Sequence, residues 1–355
     1  MAEFERPKSV SLRLRRRPGR HAWEDLSDEE LLDWRFCDLG LQLEGTVLQE
    51  RIAKLYRELE SHGLNFRPHC WLSDEWFSPD GIPGIAIPFY LAHPRLARLE
   101  YRQMYEVEGG TRDWCMKILR HEAGHAIDTA FRLSRRRTWQ AVFGSPSTPY
   151  PDEYRPRPHS RHFVRHLAHW YAQSHPSEDF AETFAVWVKP RSQWRRDYAG
   201  WPALEKLEYV DRLMAQLAGR KPPVCSRLRV DSLPRLKKTL REHYRDRKER
   251  YGIGRPSWVD RELFRLFLPN DGNSHLPLAS SFLRNHRRSL CTSVARVTGQ
   301  DRYTIDQVIQ EMIDRCRELR LRAGRSTRTL QRSTRHTLIL QTTKLLRSRH
   351  HKVAL

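Results

Sequence analysis

Three features are missing from this 355-residue chain. Its six cysteines (Cys37, Cys70, Cys115, Cys225, Cys291 and Cys316) nowhere form a C-x-x-C pair. That excludes a thiolate zinc site of ordinary spacing and a disulfide framework, and fits reduced thiols in a cytoplasmic protein. No apolar run approaches the length of a membrane span, so no membrane partner is expected. The N-terminal stretch MAEFERPKSVSLRLRRRPGR is rich in Arg but lacks the hydrophobic segment of a secretory signal. Residues 1–27 therefore read as a basic, disordered tail, with an organelle transit peptide as the alternative. There is no internal repeat.

Acidic residues are scarce in only one half. Residues 1–219 hold 32 Lys and Arg against 31 Asp and Glu, whereas residues 220–355 hold 32 against 12. Nearly all of the net charge of +21 thus lies beyond the break at Gly219-Arg-Lys-Pro-Pro223. The chain is 39% apolar, enough for a packed core. Three segments follow: the tail, a unit over 28–218, and a basic, mainly helical region over 225–355.

Residues 28–63 read as helical. Ser27 is a candidate N-cap with Glu30 at the capping-box spacing, and Val47, Leu48, Ile52, Leu55, Tyr56 and Leu59 form one apolar face before His62-Gly63. Ser78-Pro-Asp-Gly81 reads as a turn and Ile85 to Ala92 as a strand. Pro83 and Pro88 place that strand at a sheet edge, where a peptide substrate could add; an ordinary core strand is the other reading. Asp113 to Leu133 reads as a helix, residues 144–160 as a Pro-rich loop, and residues 161–174 as a short helix with Phe163, Leu167, Trp170 and Tyr171 near one side. Glu178 to Lys189 reads as a helix capped by Ser177 and ended by Pro190. Beyond 220 the clearest helix is the amphipathic one around Thr304 to Leu321.

The helix over 113–133 carries His121-Glu-Ala-Gly-His125. Residues four apart share a helix face, so both imidazoles can reach one ion, while Glu122 points about a hundred degrees away toward a bound water. A catalytic zinc takes three protein ligands and leaves a position open. The longer pattern H-E-x-x-H-x-x-G-x-x-H is excluded, because Asp128 and Phe131 occupy its last two defined positions. The common remaining solution is a glutamate from a second helix. Glu178 and Glu182 are four apart in HPSEDFAETFAVWV. One carboxylate can bind the metal, and the other can accept the free N–H of a ligating histidine.

The pairing of H-E-x-G-H with E-D-F-A-E-T-F-A resembles the gluzincin metallopeptidases, and above all a bacterial family of zinc-binding metallopeptidases. The resemblance spans about residues 38–215, with DLGLQLEGT, SDEWFSPDG, PFYLAHPRL and EVEGGT, and does not cover the region after 220. It implies an α+β fold with a small antiparallel sheet beside the active-site helix. It also implies zinc-dependent hydrolysis of protein or peptide substrates. It makes Glu178 the third ligand beside His121 and His125, Glu122 the general base, and Glu182 the partner of His121. The lethal-factor type carries a Tyr seven residues before the ligand Glu, which here is Tyr171; its phenol could hydrogen-bond an oxyanion. The long gap between His125 and Glu178, with its Pro-rich loop, has no obvious counterpart in thermolysin.

Other readings stay open at this level. His175 could be the third ligand. His162, His166 and His169 could form a second metal cluster or a polar helix face. Tyr171 could be a core aromatic. Asp128 could orient His125 or be a surface carboxylate facing Arg132. The basic region could bind nucleic acid or an acidic protein, or be a solvated surface. The rival to an enzyme is a nucleic-acid or acidic-partner binding protein with a structural or vestigial zinc site.

Overall fold

A capping box starts the first helix. Ser27 Oγ accepts the Glu30 N–H, and the Glu30 carboxylate accepts the Ser27 N–H, opening α1 (Asp28–Leu32). The computed structural model describes residues 21–158, 160–251, 260–272, 275–300, 302–347 and 353–354. Most of the expected N-terminal tail lies outside the described residues. Its last part is packed: Trp23 is buried and donates its indole N–H to the Leu39 carbonyl. The helical reading of 28–63 holds at its two ends only. Gly40 and Gly45, both at positive φ, interrupt it. The helix resumes as α2 (Val47–Ser61), capped by Thr46 and buried on the expected Leu48, Ile52, Leu55 and Leu59 face.

The sheet differs from expectation. β1 (His69–Ser73) and β2 (Gly84–Pro88) pair parallel, not antiparallel, with Trp71 opposite Ala86. The turn at Ser78–Gly81 does reverse the chain, but it returns β2 only against Phe77, which forms a single antiparallel bridge to Ala86. The Ala86 N–H donates to the Phe77 carbonyl at 2.8 Å. Bridged on one side and paired on the other, β2 is a buried core strand rather than a free edge for a substrate. The expected strand also ends at Pro88, and Phe89–Ala92 is a 3-10 turn.

The chain continues through α3 (Pro94–Met104), α4 (Arg112–Phe131) and α5 (Arg137–Phe143). Within the Pro-rich loop, β3 (Glu153–Tyr154) pairs antiparallel with β4 (Val353–Ala354). The expected helix over 161–174 is absent: 161–167 is irregular and Ala168–Gln173 is a 3-10 turn with His169 and Trp170 at positive φ. Tertiary partners take the backbone N–H groups that helix bonds would need. The Arg165 N–H donates to the Tyr198 hydroxyl, that of Leu167 to Glu182, and that of His169 to Gln307. Then come α6 (Pro176–Val188), α7 (Trp194–Asp197), α8 (Ala203–Leu217), α9 (Leu240–Arg250), α10 (Asp260–Leu266), α11 (Ala279–Thr298), α12 (Arg302–Glu318) and α13 (Thr327–Arg347). The cap of α6 is His175, whose ring accepts the Ser177 N–H, with Pro176 in the first turn; Ser177 is not the cap.

Two apolar clusters hold the chain together. The first extends from Trp23 to Tyr244 and includes the inner faces of α2, α4, α6 and α8. The second lies among α10 to α13, with Ile305, Val308, Ile309, Met312, Ile313 and Cys316 of α12 buried as their spacing requires, and it takes in Trp170. The charge step at 220 does not coincide with the gap between them. Leu233, Leu240 and Tyr244 belong to the first cluster. His69, Trp71 and Ser73 of β1 hydrogen-bond the carbonyls of Leu228, Val230 and Asp231. The buried Arg247 of α9 pairs with the buried Glu100 of α3 at 2.8 Å. No helix among the described residues is long and apolar enough to cross a membrane.

Candidate metal centre

The centre forms where α4 crosses α6. Thr111 caps α4 by accepting the Trp114 N–H, and a buried two-pronged pair of Arg120 with Glu58 ties that helix to α2 at 2.7 and 2.8 Å. At the crossing Gly124 lies against Ala181. A Cβ on Gly124 would come within 2.8 Å of the Ala181 Cα, so only glycine allows this approach. The Gly of the H-E-A-G-H run and the Ala of the S-E-D-F-A-E run are therefore one contact read from two sides.

That approach brings three donor atoms together. His121 Nε2 lies 3.0 Å from Glu178 Oε2, His125 Nε2 lies 3.1 Å from the same oxygen, and the two nitrogens are 3.1 Å apart. Two ligand atoms on a tetrahedral zinc are separated by about 3.3 Å, so the triangle is close to one face of such a site. The tautomer agrees. Glu182 is fully buried, and its Oε1 accepts from His121 Nδ1 at 2.9 Å while its Oε2 accepts the Leu167 N–H at 2.8 Å. His121 Nε2 is thus the nitrogen that faces the cluster. Two imidazole nitrogens and a carboxylate oxygen converging in a buried space need a cation among them, whether a proton or a metal. This is the one grouping of three potential ligands found among the described residues.

The electrostatics say the same. Burial by itself lowers the His121 imidazole, but hydrogen bonds to Glu178 and Glu182 carry it well above its ordinary value. Burial raises the Glu178 carboxyl, yet His125 and His121 hold it well below the usual carboxylate range. Glu182 is lowered in the same way by His166 and His121 against its burial. Glu122 differs. Burial raises its carboxyl, with His121 and His125 only partly offsetting this, and its Oε2 is buried with no hydrogen-bond partner among the described residues. An orphaned carboxylate oxygen beside three convergent donors fits a water held at a metal's open position.

A cleft of about 540 Å³ opens over these residues. Trp76, Phe77 and Ser78 form part of its wall, with Asp80, Arg132 and Arg135 also along it. Tyr171 lines it too, its ring centroid 5.5 Å from that of His121. Asp128 also lines the cleft, but it accepts the Ser134 N–H at 2.7 Å, and among the described residues it makes no hydrogen bond to His125. His175 is not a ligand. Besides capping α6, its Nε2 meets the Thr148 carbonyl at 2.7 Å. The second histidine cluster does not form: His166 is buried with Nε2 at the Lys117 carbonyl, and burial pushes its imidazole down to about 4.

Sequence reasoning missed Tyr150. Its hydroxyl donates to Glu178 Oε1 at 2.9 Å, and its ring stacks on His175 with centroids 3.8 Å apart. The Pro149-Tyr150-Pro151 run inside a loop joining the two ligand helices was the available signal.

A family model described as "Putative zinc-binding metallo-peptidase" matches residues 115–195, the segment that contains His121, Glu122, His125, Glu178 and Glu182. No curated protein and no solved structure matches the chain. The chain is thus similar, over that segment, to a family of zinc-binding metallopeptidases, and it carries there a buried His-His-Glu cluster fit for a metal.

Proposed function

We propose that this protein is a zinc-dependent metallopeptidase of the gluzincin type, with His121, His125 and Glu178 as ligands and Glu122 as general base. The observation that carries the reading is the buried Glu122 Oε2, without a hydrogen-bond partner among the described residues, next to the three convergent donors. The proposed catalytic unit starts at about residue 28 and, on the packing of Leu240 and Tyr244, reaches past 218 to α9. The free thiols suit a cytoplasmic setting.

Zinc, when bound, supplies a Lewis acid that polarises the scissile carbonyl and eases deprotonation of a water. Glu122 accepts the water proton at Oε2 and passes it to the leaving amine nitrogen. Glu182 keeps the His121 ring in its ligating tautomer. Tyr171, whose ring lies beside His121 in the cleft, would donate to the substrate oxyanion; this supports the reading. Tyr150 steadies the Glu178 carboxylate from its far oxygen.

The ligand assignment is tested by elemental analysis of purified variants. Replacing His121, His125 or Glu178 by Ala should remove most of the bound zinc. Full occupancy in Glu178→Ala would reject that residue as a ligand.

A further inference from the structure

The second half of the chain builds a surface that the metal site does not use. Neither α11 nor α13 contains a single Asp or Glu. The two helices pack side by side, and a groove of about 650 Å³ runs along α11, with Gln331 of α13 at its border. Arg288 and Arg296 line it from α11, two turns or about 12 Å apart. Asn285, Ser289 and Ser293 lie between them. Arg328 and Arg335 stand one turn to either side of Gln331, on the same helix face, and both are exposed. Arg302 of α12 joins the border by donating to Thr292 Oγ1.

Several acids of this region pair elsewhere. Arg287 points away from the groove to Asp306 of α12 at 2.5 Å, and Arg315 pairs with Asp260 of α10 at 2.7 Å. Among the described residues Arg288, Arg296, Arg328 and Arg335 have no carboxylate partner. Two such guanidinium groups in the groove, Arg288 and Arg296, and two more on the α13 face that carries Gln331 form a site for an extended polyanion rather than for a single ion.

The floor indicates which polyanion. Arg, Ser, Thr, Asn and Gln are the side chains that contact phosphate and sugar oxygens. A duplex backbone offers evenly spaced phosphates to the guanidinium groups and sugar oxygens to Asn285, Ser289 and Ser293, whereas an acidic peptide offers carboxylates alone. Unpaired bases would need aromatic platforms, and His286 is the one ring there, already hydrogen-bonded to Gln331. We propose that the α11–α13 groove binds the phosphate backbone of duplex nucleic acid without regard to sequence. The inference stands apart from the peptidase reading, because it shares no residue with the metal centre.

The test is titration of the full-length protein with a short fluorescent duplex DNA between about 50 and 200 mM salt. The parent should bind, and its affinity should fall at least about tenfold over that range as counterions are released. Neutralising the groove (Arg288→Gln, Arg296→Gln, Arg328→Gln and Arg335→Gln together) should weaken binding about tenfold or more and flatten the log–log salt slope by about 3–4. An equal charge removed outside the groove (Arg220→Gln, Lys221→Gln, Arg227→Gln and Arg229→Gln together) should change affinity by less than about threefold. If the groove variant does not fold, hydrogen exchange of the parent serves instead, with added protection expected on α11 and α13. Equal losses in both variants, no duplex binding by the parent, protection elsewhere, or displacement of DNA by an equal charge of polyglutamate would overturn the proposal.

Discussion

Oε1 of Gln307, on α12, accepts the backbone N–H of His169 at 2.7 Å. The next residue, Trp170, is buried in the apolar cluster of α10 to α13, and the one after it is Tyr171, in the cleft beside His121. His169 and Trp170 both sit at positive φ, a conformation that costs non-glycine residues on the order of 1–3 kcal/mol each. The C-terminal helices therefore hold the strained turn that presents Tyr171.

Gln307→Leu removes that acceptor without touching the centre. Zinc content should be unchanged. Peptide hydrolysis should fall toward the level of Tyr171→Phe, about tenfold to a hundredfold below the parent. The double variant should be no slower than the slower single one. Full activity in Gln307→Leu would show that the turn holds itself.

Gly124→Val tests the helix crossing. The added carbons meet the Ala181 backbone, so α4 and α6 must separate. The expected loss is about 1–3 kcal/mol of stability, with zinc occupancy falling alongside. Thermal unfolding and elemental analysis read the two effects, and a variant that keeps both would refute the close approach.

Truncation separates charge from core. A chain ending at 220 loses the buried Leu233, Leu240 and Tyr244 and leaves Glu100 without Arg247, a loss of about 3–5 kcal/mol for the broken pair alone. It should fail to fold or to hold zinc. A chain ending at 251 keeps these contacts and should retain zinc, but it should lose activity because Gln307 is gone. Zinc bound equally well by both would contradict this division.

Acid should destabilise the protein from a pH of about 6.5 downward. Burial holds His243 down to about 3, with Arg247 and Lys238 adding to this and Asp74 opposing it, and burial holds His166 down to about 4. In the unfolded chain both titrate near their ordinary value of about 6.5. Between these limits the unfolded state binds more protons, so stability is fully present above pH of about 6.5 and is lost as pH falls toward 3 to 4. His243 lies edge-on to Phe36 and Phe89, so His243→Phe should flatten the curve over that window. An unchanged curve would assign the acid sensitivity to other groups.

Much of the centre was legible because its chemistry is local. His121 and His125 share a face by helix geometry alone, and Glu178 and Glu182 repeat the spacing on α6. The capping box at Ser27 and the buried stripe of α12 were legible for the same reason. What failed depended on partners distant in sequence. The 161–174 segment has helical spacing, but Glu182, Tyr198 and Gln307 claim its N–H groups. The parallel pairing of β1 with β2 was hidden because the Ser78–Gly81 turn does make an antiparallel return, only with Phe77. Tyr150 reaches Glu178 from 28 residues away, through a loop whose path no local pattern encodes.

The most direct test of the central claim is the rate at which zinc-loaded Glu122→Gln cleaves an unfolded protein, measured against the zinc-loaded parent. Glutamine keeps the shape of the side chain but cannot take the water proton. The account predicts measurable cleavage by the parent and a rate at least about a hundredfold lower in the variant, with zinc content equal in both. Equal rates, or no cleavage by the zinc-loaded parent, would contradict it.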